Sequence, residues 1–186
     1  MTQAELLRHL VDALEGLDAE YMIGGSHAGM YYGEPRLTRD IDVIVALRPE
    51  HLRSLLDRFP AHEFYVDEAS ARDAIGTRGQ FTIIHPGSGQ KIDVYVSPET
   101  PYDRARLARR DRLPILPGVD AYFVRAEDVI LYKLLYIQQV DSVTHARDIV
   151  GILRVSGPEL DERYIAQWAD QLGVRTLWER VRGQTA

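Results

Sequence analysis

An α+β fold follows from three features of this 186-residue sequence. Short strand-like runs, among them Asp40-Ile41-Asp42-Val43-Ile44-Val45, alternate with helical patterns in the first two thirds. Phe81–His85 and Lys91–Val96 flank Pro86-Gly87-Ser88-Gly89 and read as a β-hairpin. Beyond about residue 120 the periodicity is almost entirely helical. We therefore expect a mixed β-sheet core with flanking helices over residues 1–120 and a helical C-terminal part, residues 121–186, packed on it.

The elements follow in order. Residues 3–16 place Leu6, Leu7, Leu10, Val11 and Leu14 on one stripe, with Gly16 as the stop. Tyr21-Met22-Ile23 is a short apolar run that breaks at Gly24-Gly25; Ser26 and the small residues after it suit a short helix, and the chain turns at Gly33-Glu34-Pro35. Pro49 opens a helix whose apolar face is Leu52, Leu55, Leu56 and Phe59, closed by Pro60. Glu63–Val66 is a short strand, and residues 67–75 form a helix with Gly76 after it. Residues 114–118 are expected to be a loop and Ala121–Val124 a short strand or connector. Helices are expected at about 126–139, 144–155, 159–172 and 175–182.

The region from Tyr21 to Leu47 carries the most chemistry. Side chains alternate along a strand, so Asp40 and Asp42 share one face while Ile41, Val43 and Val45 can be buried on the other. Two carboxylates about 7 Å apart repel unless a cation lies near, and hard divalent cations take such oxygen ligands. A strand, then Gly24-Gly25-Ser26, then a helix start exposes backbone N–H groups suited to an anion. The phosphate cradle and the acid pair are separated by 13 residues, 27–39, which suggests a metal-bound nucleoside triphosphate.

Composition bounds the alternatives. Net charge is -6, so the surface as a whole does not attract nucleic acid. Cysteine is absent, which excludes disulfides, thiolate metal sites and cysteine nucleophiles and fits a reducing compartment. There is neither an apolar run of about 18 residues nor a charged-then-apolar leader, so a cytoplasmic protein without membrane contact is expected. Of 22 basic residues only Lys91 and Lys133 are lysine.

Gly24-Gly25-Ser26, a spacer and Asp40-x-Asp42 resemble the signature of the polymerase-beta-like nucleotidyltransferase superfamily. The resemblance implies a nucleotidyltransferase-like fold and Mg2+-dependent transfer of a nucleoside monophosphate from an NTP such as ATP to a hydroxyl, with pyrophosphate released. It covers roughly residues 20–97 and, more weakly, 125–153. It implies that Gly24, Gly25 and Ser26 hold the triphosphate, that Asp40 and Asp42 hold Mg2+, and that a later-strand acid, here Asp93, completes a site for one or two ions.

Lys133 interrupts an otherwise apolar helix, where a buried ammonium needs a partner such as a triphosphate or an acid. Residues 125–134 resemble the helix after the core in bacterial nucleotidyltransferases of the abortive-infection toxin type, whose lysine contacts nucleotide. Arg147-Asp148 resembles a later motif of that group, which implies a nucleotide-pocket role for Asp148; a structural pairing with Arg147, Lys133 or Arg154 is equally open. That branch implies a toxin of a toxin–antitoxin system with an antitoxin partner. Arg104–Arg112 is a local basic run that offers an RNA edge, and the acceptor is left open among RNA, protein and small molecule. Two other classes compete: a non-catalytic nucleotide-binding, antitoxin or scaffold protein of the same fold, and a nucleic-acid-binding module using the arginine run.

Overall fold

The computed structural model describes residues 1–140 and 142–183. They form two compact units. The first comprises residues 1–24 and 38–123, the second residues 25–37 and 124–186. The segment 25–37 thus belongs with the C-terminal helices, although it lies early in the chain.

The first unit is built on a seven-stranded mixed sheet in the order β3-β4-β5-β2-β1-β7-β6. Its strands are β1 (Tyr21–Ile23), β2 (Asp40–Val45), β3 (Tyr65–Val66), β4 (Gln80–His85), β5 (Gln90–Val96), β6 (Asp111–Leu116) and β7 (Val119–Phe123). β2 runs parallel to β5 over six residue pairs, from Asp40↔Lys91 to Val45↔Val96. β1 runs antiparallel to β2 and parallel to β7; the remaining pairs are antiparallel. The alternation predicted for the central strands holds. Ile41, Val43, Val45, Ile92, Val94 and Val96 are buried, while the residues between them face the other side.

The helices of this unit are α1 (Gln3–Glu15), α3 (His51–Arg58), α4 (Glu68–Thr77) and α5 (Pro101–Ala108). A reciprocal Thr2/Glu5 capping box starts α1, and its leucine stripe is buried as expected. Two expectations need correction. Gly76 does not end its helix: α4 runs through it to Thr77 and stops at Arg78, which takes a left-handed φ of 58°. Residues 114–118 are a loop only at Pro117-Gly118, which form a turn. Asp111–Leu116 is a strand hairpinned to β7, and it tolerates Pro114 because β6 lies at the sheet edge with a register shift between Pro114 and Leu116. The start of the arginine run is a helix, announced by the Thr100-x-x-Asp103 capping box and Pro101 in its first turn.

The second unit contains α2 (Gly25–Tyr32), α6 (Ala126–Gln139), α7 (Val143–Ser156), α8 (Glu162–Gln171) and α9 (Arg175–Arg182), with a single 3-10 turn at Gly157–Glu159. Gly25 has a φ of 53°, the left-handed region open to glycine, and this permits the sharp entry into α2. Inside the unit, α2 packs on α6 and α7. The approach to α7 is close: a Cβ at Gly33 would lie 2.8 Å from the Gly29 carbonyl oxygen and 3.0 Å from the Ile152 nitrogen. Among the described residues no helix is long and apolar enough to cross a membrane.

Gly33→Ala should therefore destabilise the protein by about 1–3 kcal/mol, since both obstructing atoms are backbone. Gly76→Ala is the contrasting case. It lies inside α4 with nothing within 4 Å of the added carbon, so it should add up to about 1 kcal/mol. Urea unfolding midpoints of both variants against the wild type check the pair.

Candidate functional site

In the first unit, β2 and β5 bring the predicted acids together by register. Asp42 pairs with Asp93 across the parallel ladder, and Asp40 pairs with Lys91. Neighbouring residues in register project to the same face, so the two carboxylates of the Asp42/Asp93 pair share one side of the sheet. Like charges placed this way repel. Lys91 offsets the repulsion: its Nζ donates to Asp93 Oδ2 at 2.8 Å and lies 3.4 Å from Asp40 Oδ2. These contacts, the hydrogen bond to Asp93 foremost, raise the Lys91 ammonium above its ordinary range. Thr82 on β4 donates to the other oxygen of Asp93 at 2.8 Å. Gly24 continues the β1–β2 ladder, its N–H donating to the Asp42 carbonyl at 2.9 Å.

The three carboxylates were expected to converge if the Asp93 strand lay beside the Asp40/Asp42 strand; the strands are neighbours, and the Lys91 ammonium lies within ion-pair distance of Asp40 and Asp93. Among the described residues, no group of three or more His, Cys, Asp or Glu side chains stands arranged to hold a metal ion. The donor chemistry nevertheless fits a hard cation: all three side chains are carboxylates, and Asp42 and Asp93 are neighbours in register.

In the second unit, Lys133 and Asp148 come together. Lys133 Nζ donates to Asp148 Oδ2 at 2.7 Å, with side chains 3% and 10% exposed. The buried ammonium has an acid partner, one of the two readings left open for it. The same carboxylate also accepts from Arg36, whose Nε lies 3.1 Å from Oδ1. Arg36 further donates through Nη2 to the hydroxyl of Ser26 in the first turn of α2. Gly29 lets the lysine stem pass close to α2, since a Cβ there would lie 3.5 Å from Lys133 Cε. Sequence reasoning missed Arg36. It lies in a loop without periodicity, 112 residues from Asp148.

Two half-buried histidines of this unit feel the cluster. Burial lowers the pKa of His145, helped by Lys133 and Arg36 and opposed by Asp148. Burial and Arg36 lower that of His27. The ring of His145 meets Tyr136 edge-on at 4.4 Å.

The basic run does not offer a continuous basic edge. Arg106 is buried and paired with Asp103 at 2.6 Å. Arg110 binds Glu20 at 2.8 Å and lies over the Tyr122 ring, which Arg112 also approaches. Arg104 donates to the Glu99 carbonyl.

No family model matches the chain, and no curated protein matches it. Solved structures do. The antibiotic-resistance factor ANT(2'')-Ia aligns with a TM-score of 0.62 at 14% identity, over 96% of this chain and 97% of that one. An antigenic nucleotidyltransferase-like protein from Paracoccidioides brasiliensis gives 0.58 at 21%, over 96% and 91%. The lincosamide antibiotic adenylyltransferase LnuA, lincomycin-bound, gives 0.56 at 12%, over 83% and 98%. The chain has a polymerase-beta-like nucleotidyltransferase fold. At these identities the likeness is one of fold.

Asp148→Ala should cost about 3–5 kcal/mol by leaving Lys133 buried without its acid, and Lys133→Met should cost less because Arg36 still neutralises Asp148. Guanidinium unfolding of both variants checks the order. A second expectation concerns pH. His27 and His145 have folded pKa values below the ordinary 6.5, so the unfolded chain binds more protons once pH drops through that value. Stability should be full above about pH 6.5 and fall below it, by at most about 1.4 kcal/mol per histidine per pH unit. Unfolding midpoints at pH 7.5 and 5.5 should converge in the His27→Phe/His145→Phe double variant.

Proposed function

We propose that this chain is a Mg2+-dependent nucleotidyltransferase that moves a nucleoside monophosphate from an NTP to a hydroxyl acceptor. The observation that carries the reading is the in-register Asp42/Asp93 pair on parallel strands, with Asp40 two pairs away on the same face, in a chain of this fold. Asp40 and Asp42 would hold the Mg2+ that accompanies the triphosphate, and Asp93 would hold a second ion at the attacking hydroxyl. Bound there, Mg2+ supplies charge neutralisation of the phosphate oxygens. Gly24, Gly25, Ser26 and Lys133 are assigned to the nucleotide phosphates, and Asp148 orients Lys133.

The step balances simply. The acceptor oxygen forms a bond to the α-phosphorus as the bond from that phosphorus to the bridging oxygen breaks. Pyrophosphate leaves with the electron pair. Asp93 takes the hydroxyl proton, and its hydrogen bond from Thr82 holds the carboxylate in orientation.

A small hydroxyl-bearing molecule is the favoured acceptor class. The arginines that would have formed an RNA edge are engaged within their own unit. Two of the similar structures are an antibiotic-resistance factor and a lincosamide antibiotic adenylyltransferase. A toxin acting on a cellular hydroxyl, with an antitoxin partner, is the second reading; the joined Lys133 and Asp148, which carry the resemblance to the abortive-infection type, favour it.

The test incubates pure protein with each α-labelled NTP, Mg2+, and in turn an aminoglycoside, a lincosamide and a cell lysate. Label is expected on a small molecule. Label on RNA or protein would favour the toxin reading, and no label under any condition would leave a nucleotide-binding protein without turnover. Asp42→Ala and Asp93→Asn should each reduce transfer by at least about 10²-fold while the circular dichroism spectrum is retained. Mg-NTP affinity should fall with Asp42→Ala and change only a few-fold with Asp93→Asn, because the proton acceptor matters chiefly in the transition state.

A further inference from the structure

We propose that Arg36 is a positioning residue that completes a polyphosphate-binding cluster with Ser26 and Lys133, Asp148 serving as the common pivot. The inference rests on the nucleotidyltransferase reading only for the identity of the anion.

Four side chains from three helices and one loop meet within the second unit. Asp148 on α7 accepts from Lys133 on α6 at 2.7 Å and from Arg36 Nε at 3.1 Å, and the Arg36 Nη2 lies 3.4 Å from its other oxygen. One carboxylate thus serves two cations. Two basic side chains share one carboxylate, so the cluster has one more cationic group than anionic. The excess sits in a poorly solvated place: the Lys133 side chain is 3% exposed and that of Arg36 is 33% exposed. A net charge there is costly unless an anion accompanies it. Burial chiefly lowers the pKa of His145; Lys133 and Arg36 add to this and Asp148 opposes it.

The bond to Ser26 gives the cluster direction. A guanidinium has no acceptor, so the Ser26 Oγ must accept from Arg36. The serine hydrogen is then left to donate elsewhere. Ser26 sits in the first turn of α2, where backbone N–H groups have no partner inside the helix. A phosphate oxygen accepts from such donors, and the excess positive charge favours it. Arg36 therefore acts through Ser26, fixing its hydroxyl as a donor, while the shared Asp148 fixes the distance between the guanidinium and the ammonium. Roughly a third of the Arg36 side chain faces solvent, and its Nη1 donates to the Leu37 carbonyl at 3.2 Å.

The test uses inorganic tripolyphosphate as the probe, at pH 7.5 with chelator and no acceptor, so that neither metal nor turnover enters. Isothermal titration of the full chain should show binding. Arg36→Met should weaken it at least about ten-fold, and Ser26→Ala by several-fold, in variants whose melting curves remain cooperative. The double variant should lose no more than Arg36→Met alone, because the serine is already unpositioned there. Losses that multiply in the double variant would overturn the positioning role, and so would wild-type affinity in Arg36→Met. Should Arg36→Met fail to fold, Arg36→Lys takes its place in the same cycle. It keeps a cation for Asp148 but lacks the fork that reaches Asp148 and Ser26 together. Tripolyphosphate binding that depends on Arg36 in a chain without NTP turnover would support this inference while the catalytic reading fails. NTP turnover with Arg36-independent tripolyphosphate binding would do the reverse.

Discussion

The parallel ladder between β2 and β5 is the constraint on which the first unit depends. Six consecutive residue pairs set the register, and both members of every alternate pair are apolar and buried. A slip of one residue would turn Ile41, Val43 and Val45 out of the core and carry Asp40 and Asp42 into it. The burial of the aliphatic residues is thus what places the acids. The sheet holds Asp42 next to Asp93 against their mutual repulsion, and Lys91 offsets part of that cost with an ammonium shared between Asp40 and Asp93.

The second unit shows the same logic with the charges reversed. Its organising group is a single carboxylate. Asp148 is nearly buried and serves Lys133 and Arg36 together, so the unit carries more cation than anion at that point. Buried ion pairs are poor stabilisers in comparison with well-packed apolar residues. A buried arrangement that also leaves charge uncompensated is better understood as preparation for a ligand than as a device for stability.

Fold likeness and function carry different weights here. The structures of ANT(2'')-Ia, the Paracoccidioides protein and LnuA align over most of this chain, yet identities of 14%, 21% and 12% leave few side chains in common. The fold explains why a strand bearing Asp40 and Asp42 lies beside one bearing Asp93. The functional proposal depends instead on which side chains occupy those positions, and on the chemistry of carboxylates in register.

The sequence alone determined whatever local periodicity controls. The two-residue period of Asp40–Val45 and Lys91–Val96 put the acids on one face and the aliphatics on the other, and the helical stripes located α1 and α6–α9 to within a few residues. Non-periodic segments were opaque. Pro114 made an edge strand read as a loop, because proline's missing donor is harmless only where no neighbour strand needs it, and edge position is a tertiary property. The run Arg104–Arg112 suggested a basic surface, while the positions of Glu20 and Tyr122 turned part of it inward. The tertiary structure alone decided that residues 25–37 belong with residues 124–186, and that Arg36 meets Ser26 and Asp148. Contacts across such separations depend on how helices pack, and packing leaves no repeating trace in the chain.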